Sequence, residues 1–147
     1  MKRLKPFAAN GPNVAKHRLV VDTNLWISFL LGSAPRKWDQ ALLSDNHVLL
    51  FSQELLEEFL TVAQRPKFRK YFNLPDLEAL MLALQEKAEF VDVQSNVAAC
   101  RDPKDNFLLS LCKDGRATHL LTGDQDLLDL LKFGKTRILT IKEYLAS

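Results

Sequence analysis

The sequence predicts an α/β fold, a three-layer α/β/α sandwich around a central parallel sheet of about five strands. Three observations carry that reading. Short aliphatic runs, too brief and too β-branched for helices, alternate with longer segments whose apolar residues recur at helical spacing. The runs are apolar at consecutive positions, as strands covered on both faces are. Two of them stop at carboxylates, Leu19-Val20-Val21-Asp22 and Leu120-Leu121-Thr122-Gly123-Asp124. In an open parallel sheet the carboxyl ends of the strands form the crevice where ligands bind.

Each element follows from local chemistry. Leu19 to Val21 is the first strand, and Leu25 to Leu31 a short helix closed by Gly32-Ser33. Pro35 suits a first helical position and opens Arg36 to Ser44, with Trp38, Ala41 and Leu42 inward. His47 to Phe51 is a second buried strand. Ser52 caps a helix over Gln53 to Gln64, whose core stripe is Leu55, Leu56, Phe59, Leu60, Val62 and Ala63. Glu58 lies at the edge of that stripe and Glu57 slightly further round, so periodicity does not choose between them. Pro75 starts a packing helix, Asp76 to Glu89, with Leu77, Leu80, Met81, Leu84 and Ala88 at helical spacing. Phe90 to Val93 is a third, shorter strand. A helix over Phe107 to Lys113 ends before Gly115. His119 to Thr122 is the fourth strand, a helix from Asp124 to Leu131 stops at Gly134, and Arg137 to Leu139 is the fifth. Thr140-Ile141-Lys142-Glu143 is a capping box opening the last helix.

With 147 residues, 47% hydrophobic and 26% charged, the chain suffices for one core. The domain reading is a basic flexible arm over 1–17 and a single domain over 18–147. The first 18 residues hold five of the 20 basic residues and no acid, which leaves 15 basic against 18 acidic residues beyond them. A mildly acidic body excludes binding nucleic acid by overall charge alone and asks for local sites. Cys100 and Cys112 form neither a disulfide framework nor a zinc spacing, which fits a reducing cytoplasm. No apolar run approaches the roughly 20 residues of a membrane span, and Met1 to His17 has no apolar centre, unlike a signal peptide.

Acids collect at strand ends or at the helix starts just beyond them: Asp22, Asp102 or Asp105, Asp124 and Asp126, with Glu57 or Glu58 from the helix after the second strand. Gathered carboxylates repel one another and raise one another's pKa, a cost accepted mainly where a hard cation neutralises them. Oxygen ligands favour Mg²⁺ or Mn²⁺ over Zn²⁺. Thr23, Asn24 and Thr122 add groups that hold carboxylates or metal-bound water, and Asp102 is assigned the same supporting role. Each acid also has a plain structural use: Asp102, Asp124 or Asp126 as a helix cap, Asp105 as a first-turn acid. Those uses do not explain Asp22 behind a buried strand. Arg65, Lys67, Arg69 and Lys70, interleaved with Phe68, Tyr71 and Phe72, suit single-stranded nucleic acid, and equally suit aromatics in the core with cations in water.

Val20-Val21-Asp22-Thr23-Asn24, Leu55-Leu56-Glu57-Glu58-Phe59 running to Arg65-Pro66-Lys67-Phe68, Asp102-Pro103-Lys104-Asp105-Asn106, and Leu120 to Leu128 as Leu-Leu-Thr-Gly-Asp-Gln-Asp-Leu-Leu together resemble PIN-domain proteins. The likeness is to the VapC-like toxin components of prokaryotic toxin–antitoxin pairs, and it covers about residues 18–145 in four ordered motifs. The resemblance implies a Mg²⁺- or Mn²⁺-dependent endoribonuclease that hydrolyses RNA phosphodiester bonds. It places the family's first acid on Asp22, its helix glutamate on Glu58 by distance back from Arg65-Pro66, its third acid on Asp105 and its fourth on Asp124. Asp126 matches a further, less regular acid, and Thr23 and Thr122 match small hydroxyl positions. Asp22, Asp105 and Asp124, with Asp126, are the implied metal ligands, and Glu58 a ligand or water-orienting base. Expected partners are RNA, a cognate antitoxin protein and a second copy of the chain as a homodimer.

Other classes fit less well. A phosphoacceptor receiver domain wants a second acid after Asp22 and a lysine after the last strand, where Thr23-Asn24 and Thr140-Ile141 stand. A haloacid-dehalogenase-like phosphatase wants an aspartate at Asn24. Dinucleotide binding lacks its glycine-rich loop. Histidine catalysis is disfavoured because His47 and His119 begin strands, opposite the acids, and His17 is read as preceding the first strand. A non-catalytic PIN scaffold that binds RNA or a partner is the remaining alternative.

Overall fold

A computed structural model describes residues 16–31 and 46–147. The expected helix over 36–44 and the arm up to residue 15 lie outside the described residues, as do the side chains of Leu80, Met81 and Leu84 on the packing helix. The strands are β1 (His17–Val21), β2 (His47–Phe51), β3 (Ala88–Phe90), β4 (His119–Leu121), β5 (Lys132–Phe133) and β6 (Thr136–Leu139). The helices are α1 (Thr23–Leu30), α2 (Gln53–Ala63), α3 (Pro66–Arg69), α4 (Leu74–Lys87), α5 (Asn106–Asp114), α6 (Gln125–Leu128) and α7 (Ile141–Ala146), with a 3₁₀ turn over Pro103–Asp105 before α5.

The sheet order is β3-β2-β1-β4-β6-β5. All pairings are parallel except β5 with β6. Successive strands step one way from β1 to β3, then the chain returns and steps the other way from β4 to β6. With the right-handed crossovers of parallel sheets, that reversal sends the two sets of connecting helices to opposite faces. It also leaves β1 and β4 side by side, with their carboxyl ends at the point where the order turns.

Burial explains the register. Leu19, Val20, Leu50, Phe51, Leu120 and Leu121 are at most 1% exposed. Val21 sits opposite Leu121, so the next residues in the two strands, Asp22 and Thr122, are neighbours at the sheet edge. One hydrophobic core joins these strands to Leu55, Phe59, Leu108, Leu109 and Leu127 from the helices. Ser52 caps α2 through the Leu55 amide at 3.1 Å. Thr140 and Glu143 make the expected capping box before α7. Among the described residues no helix is long and apolar enough to cross a membrane.

The central sheet holds the five parallel strands expected, and β5 is added antiparallel at one edge. Three expectations need correction. Gly134 does not stop a helix: α6 ends at Leu128, and Gly134, at φ +59°, is the first residue of the two-residue turn joining β5 to β6, where a left-handed conformation is required. The third strand pairs over Ala88–Phe90, two residues earlier than the apolar run suggested. His17 belongs to β1, because its backbone pairs opposite His47.

Candidate active site

Asp22 precedes α1 and Asp105 precedes α5, and neither side chain makes a cap bond; Asp105 is itself helical, as the last residue of the 3₁₀ turn. The Asp22 carboxylate is engaged across the sheet. The Thr122 hydroxyl donates to Asp22 Oδ2 at 2.7 Å and accepts from the Asp124 amide at 3.0 Å. One buried hydroxyl, 1% exposed, thereby ties the end of β1 to the segment following β4. Asp124 Oδ1 accepts from the Asp126 amide at 2.9 Å and caps α6. Asp102 caps the 3₁₀ turn through the Lys104 amide at 3.1 Å.

Electrostatics show which acids feel one another. Asp22 is raised above the usual carboxylate range, first by burial; Thr122 and the amides of Thr23 and Asn24 pull it back, and Asp124 pushes it up. Asp105 is pushed up to about 7, first by burial, then by the close approach of Asp124 and by the charges of Asp124, Asp22 and Asp102. Asp22, Asp105 and Asp124 therefore act on one another across the reversal point of the sheet. Among the described residues, the three carboxylates whose oxygens lie within 4.8 Å of one another are those of Asp102, Asp105 and Asp126; Asp102, expected only as a support, sits in that group, and Asp22 and Asp124 do not.

The donor set suits a hard divalent cation. It is all oxygen, and two of its buried oxygens, Asp105 Oδ2 and Thr23 Oγ1, have no hydrogen-bond partner among the described residues. Unpartnered buried oxygens beside raised carboxyls are donors of the kind a hard cation satisfies. Thr23 is 3% exposed and Asn24 is exposed.

Not every expected residue joins this group. Glu58 is exposed on α2 and makes no hydrogen bond or ion pair among the described residues; Glu57, equally exposed, accepts from Gln53 Nε2 at 3.0 Å. Arg65, Lys67, Arg69 and Lys70 are all exposed around α3. Lys67 and Lys70 lie over the rings of Phe68 and Tyr71 at 5.0 and 5.1 Å. Phe72 goes to the core and Tyr71 stays 56% exposed, so the stretch divides between its two readings.

Arg101 was not anticipated from its residue type. Its guanidinium contacts Asp126 at 2.9 Å and Asp129 at 2.5 Å, placing a cation at the rim of the cluster. An arginine in a loop two residues from a proline carries no sequence signal for that contact. Burial raises the thiol of Cys100, 8% exposed, and the charges of Asp105, Asp124 and Asp126 add to it.

The histidines gather at the other end of the sheet. His17 and His119 ring centroids are 4.6 Å apart, and His17 and His47 5.9 Å. The Tyr144 hydroxyl sits 2.6 Å from His17 Nδ1 and 3.2 Å from His47 Nδ1. No described contact joins them to the acids.

A search of curated proteins finds no match. A family model described as a PIN domain matches residues 18–126, from the first residues of β1 through the acids after β4. PIN domains are generally nucleases and typically use divalent metals. By that match over most of its length, and by a parallel sheet with acids at its reversal point, the chain belongs to the PIN-domain family.

Proposed function

We propose that the protein is a Mg²⁺- or Mn²⁺-dependent endoribonuclease, with Asp22, Asp105 and Asp124 as principal metal ligands and Asp126 as a further one. The observation that carries this reading is the crowding of Asp105. The charges of Asp124, Asp22 and Asp102 add to burial in pushing it up to about 7, and its buried Oδ2 has no hydrogen-bond partner among the described residues. A bound metal would neutralise that charge, lower the pKa of a water and stabilise the phosphate.

The chain's own residues set the geometry. Thr122 holds Asp22 and the Asp124 backbone in fixed relation. Thr23 and Asn24 lie beside Asp22 to hold metal-bound water, and Asp102 supports the turn that presents Asp105. Glu58 acts as ligand or water-orienting base once RNA and metal bring α2 into play. Arg65, Lys67, Arg69 and Lys70 receive backbone phosphates, with Tyr71 as a stacking surface. EDTA abolishes cleavage of a mixed RNA, and Mg²⁺ or Mn²⁺ restores it; full activity in EDTA overturns the carboxylate mechanism. A folded protein that binds RNA yet never cleaves it returns the chain to the scaffold reading.

The same reading makes the chain the cytoplasmic toxin of a toxin–antitoxin pair, as a homodimer. Its acidic edge suits a basic antitoxin segment, since a guanidinium fork matches carboxylates, and Arg101 already makes such a contact within the chain. Expression alone arrests growth, and co-expression of an adjoining small gene relieves the arrest. A chain that cleaves RNA but is harmless when expressed alone loses the toxin role and keeps the nuclease one.

A further inference from the structure

At the amino ends of β4 and β6, far along the strands from the acids, the end of α5 and the β5–β6 hairpin enclose a cavity of about 580 Å³, within the range of about 300–1,000 Å³ typical of small-molecule sites. Its lining includes Lys113, Arg116 and Lys135, with Cys112, Ala117 and Phe133 as apolar surface and no acid. The three cations are exposed, and none has a hydrogen-bond or ion-pair partner among the described residues. The two lining hydroxyls are already spent: Thr118 on the backbone of Arg18 and Thr136 on the carbonyl of Ala117. Burial pushes the Cys112 thiol up to about 12, so it brings no charge. The carbonyl end of α5 contributes about half a negative charge, and Asp114, next to Lys113, has its carboxylate on the Gln94 and Ser95 amides; three full cations outweigh both.

We propose that this cavity is a second binding site, separate from the acidic edge, and that it takes a nucleotide. The phosphate lies among Lys113, Arg116 and Lys135, and the base covers the half-buried ring of Phe133. A phosphomonoester satisfies the unpartnered cations, and a flat heterocycle fits the apolar remainder of the lining. A free mononucleotide and the phosphorylated end of an RNA share this chemistry.

Calorimetry on the whole chain in EDTA, with 5′-AMP as probe, tests the site without cleavage or metal, so failure of the nuclease reading leaves it unaffected. The expected result is one AMP per chain, weakened by added salt, with adenosine binding at least about tenfold more weakly because the charge-assisted contacts are lost. Lys113→Gln combined with Lys135→Gln weakens AMP by a similar factor while leaving the melting temperature unchanged, since both side chains are exposed. Asp22→Asn leaves AMP affinity intact. A 5′-phosphorylated tetranucleotide that binds like AMP assigns the site to RNA ends; one that does not, while AMP does, assigns it to free nucleotide. Absence of AMP binding at millimolar concentration, equal affinity for adenosine, an unaltered affinity in the double variant, or loss of binding in Asp22→Asn overturns the proposal.

Discussion

The two ends of one parallel sheet hold opposite kinds of ionisable cluster. At the carboxyl end, acids press on one another, and buried oxygens of Asp105 and Thr23 lack partners among the described residues. At the amino end, His17, His47 and His119 surround Tyr144, whose hydroxyl is within hydrogen-bond distance of two of the rings. Burial holds His119 down to about 4, with the charges of His17, Arg137 and His47 adding to it, so it is neutral near pH 7 and costs little there. The contrast separates a cluster that folding has settled from one that folding has left short of charge. Residue types do not make that difference; partners do.

The largest effect tests the unsettled end directly. Removing one carboxylate from a like-charged group relieves repulsion, so Asp22→Asn keeps the metal-free fold as stable as before or more so. Cleavage meanwhile falls by orders of magnitude, and the stabilisation that Mg²⁺ confers shrinks. Asp105→Asn and Asp124→Asn behave alike, and Glu58→Gln costs more activity than Glu57→Gln. Thermal melts with and without Mg²⁺, run beside an RNA cleavage assay, check all five. An unfolded Asp22→Asn protein makes that residue structural, and parental cleavage by the folded variant moves the reaction elsewhere.

Thr122→Val sharpens the comparison with a smaller change. It keeps the side chain's shape and removes the hydroxyl that bridges Asp22 and the Asp124 amide. Metal affinity and activity fall by about 10–100-fold, as for other groups that orient metal ligands, with the apo fold retained. A Mg²⁺ titration of the cleavage rate separates lost affinity from lost turnover, and an unchanged titration denies Thr122 its positioning role.

The smallest effect sets the two ends against each other in the same pH window. Asp105 is raised from 3.8 to about 7 in the fold, so the native state holds a proton the unfolded chain has released. Its contribution is present below about pH 4 and is lost as pH rises through 7. His119 is lowered from 6.5 to about 4; its contribution is present above about 6.5 and is lost as pH falls toward 4. In metal-free melts from pH 4 to 7 these trends partly cancel. Asp105→Asn exposes the histidine limb, a melting temperature that falls with acid, and His119→Asn exposes the opposite one. Unchanged pH profiles in both variants break the comparison.

How far the chain could be read without coordinates follows the same division. Asp22 was legible because three aliphatics in a row needed a buried strand and the strand needed an end. Asp124 was legible for the same reason. The choice between Asp102 and Asp105 was not available from spacing, since one suits a cap and the other a first-turn acid; in the fold Asp102 caps the 3₁₀ turn and both lie in one carboxylate group with Asp126. Burial does not separate Glu58 from Glu57, since both are exposed on the edge of one helix. The hairpin at Gly134 was missed because Leu127 to Leu131 continues at helical spacing and hides the left-handed Leu131, at φ 64°, that ends it. The histidine cluster was missed at His17, since one polar residue at a strand start looks like the loop before it. Only the register with His47 and the ring of Tyr144 bring the three together.

The hydrogen bond between Thr122 and Asp22 spans 100 residues of chain. A ribosome adding about 5–20 residues per second delivers the second partner about 5–20 s after the first. During that interval the emerging chain has Asp22 and the strand before it, but neither Thr122 nor Asp124 to set beside them. Whatever chemistry this edge performs therefore waits until both strands that meet at the reversal point have been made.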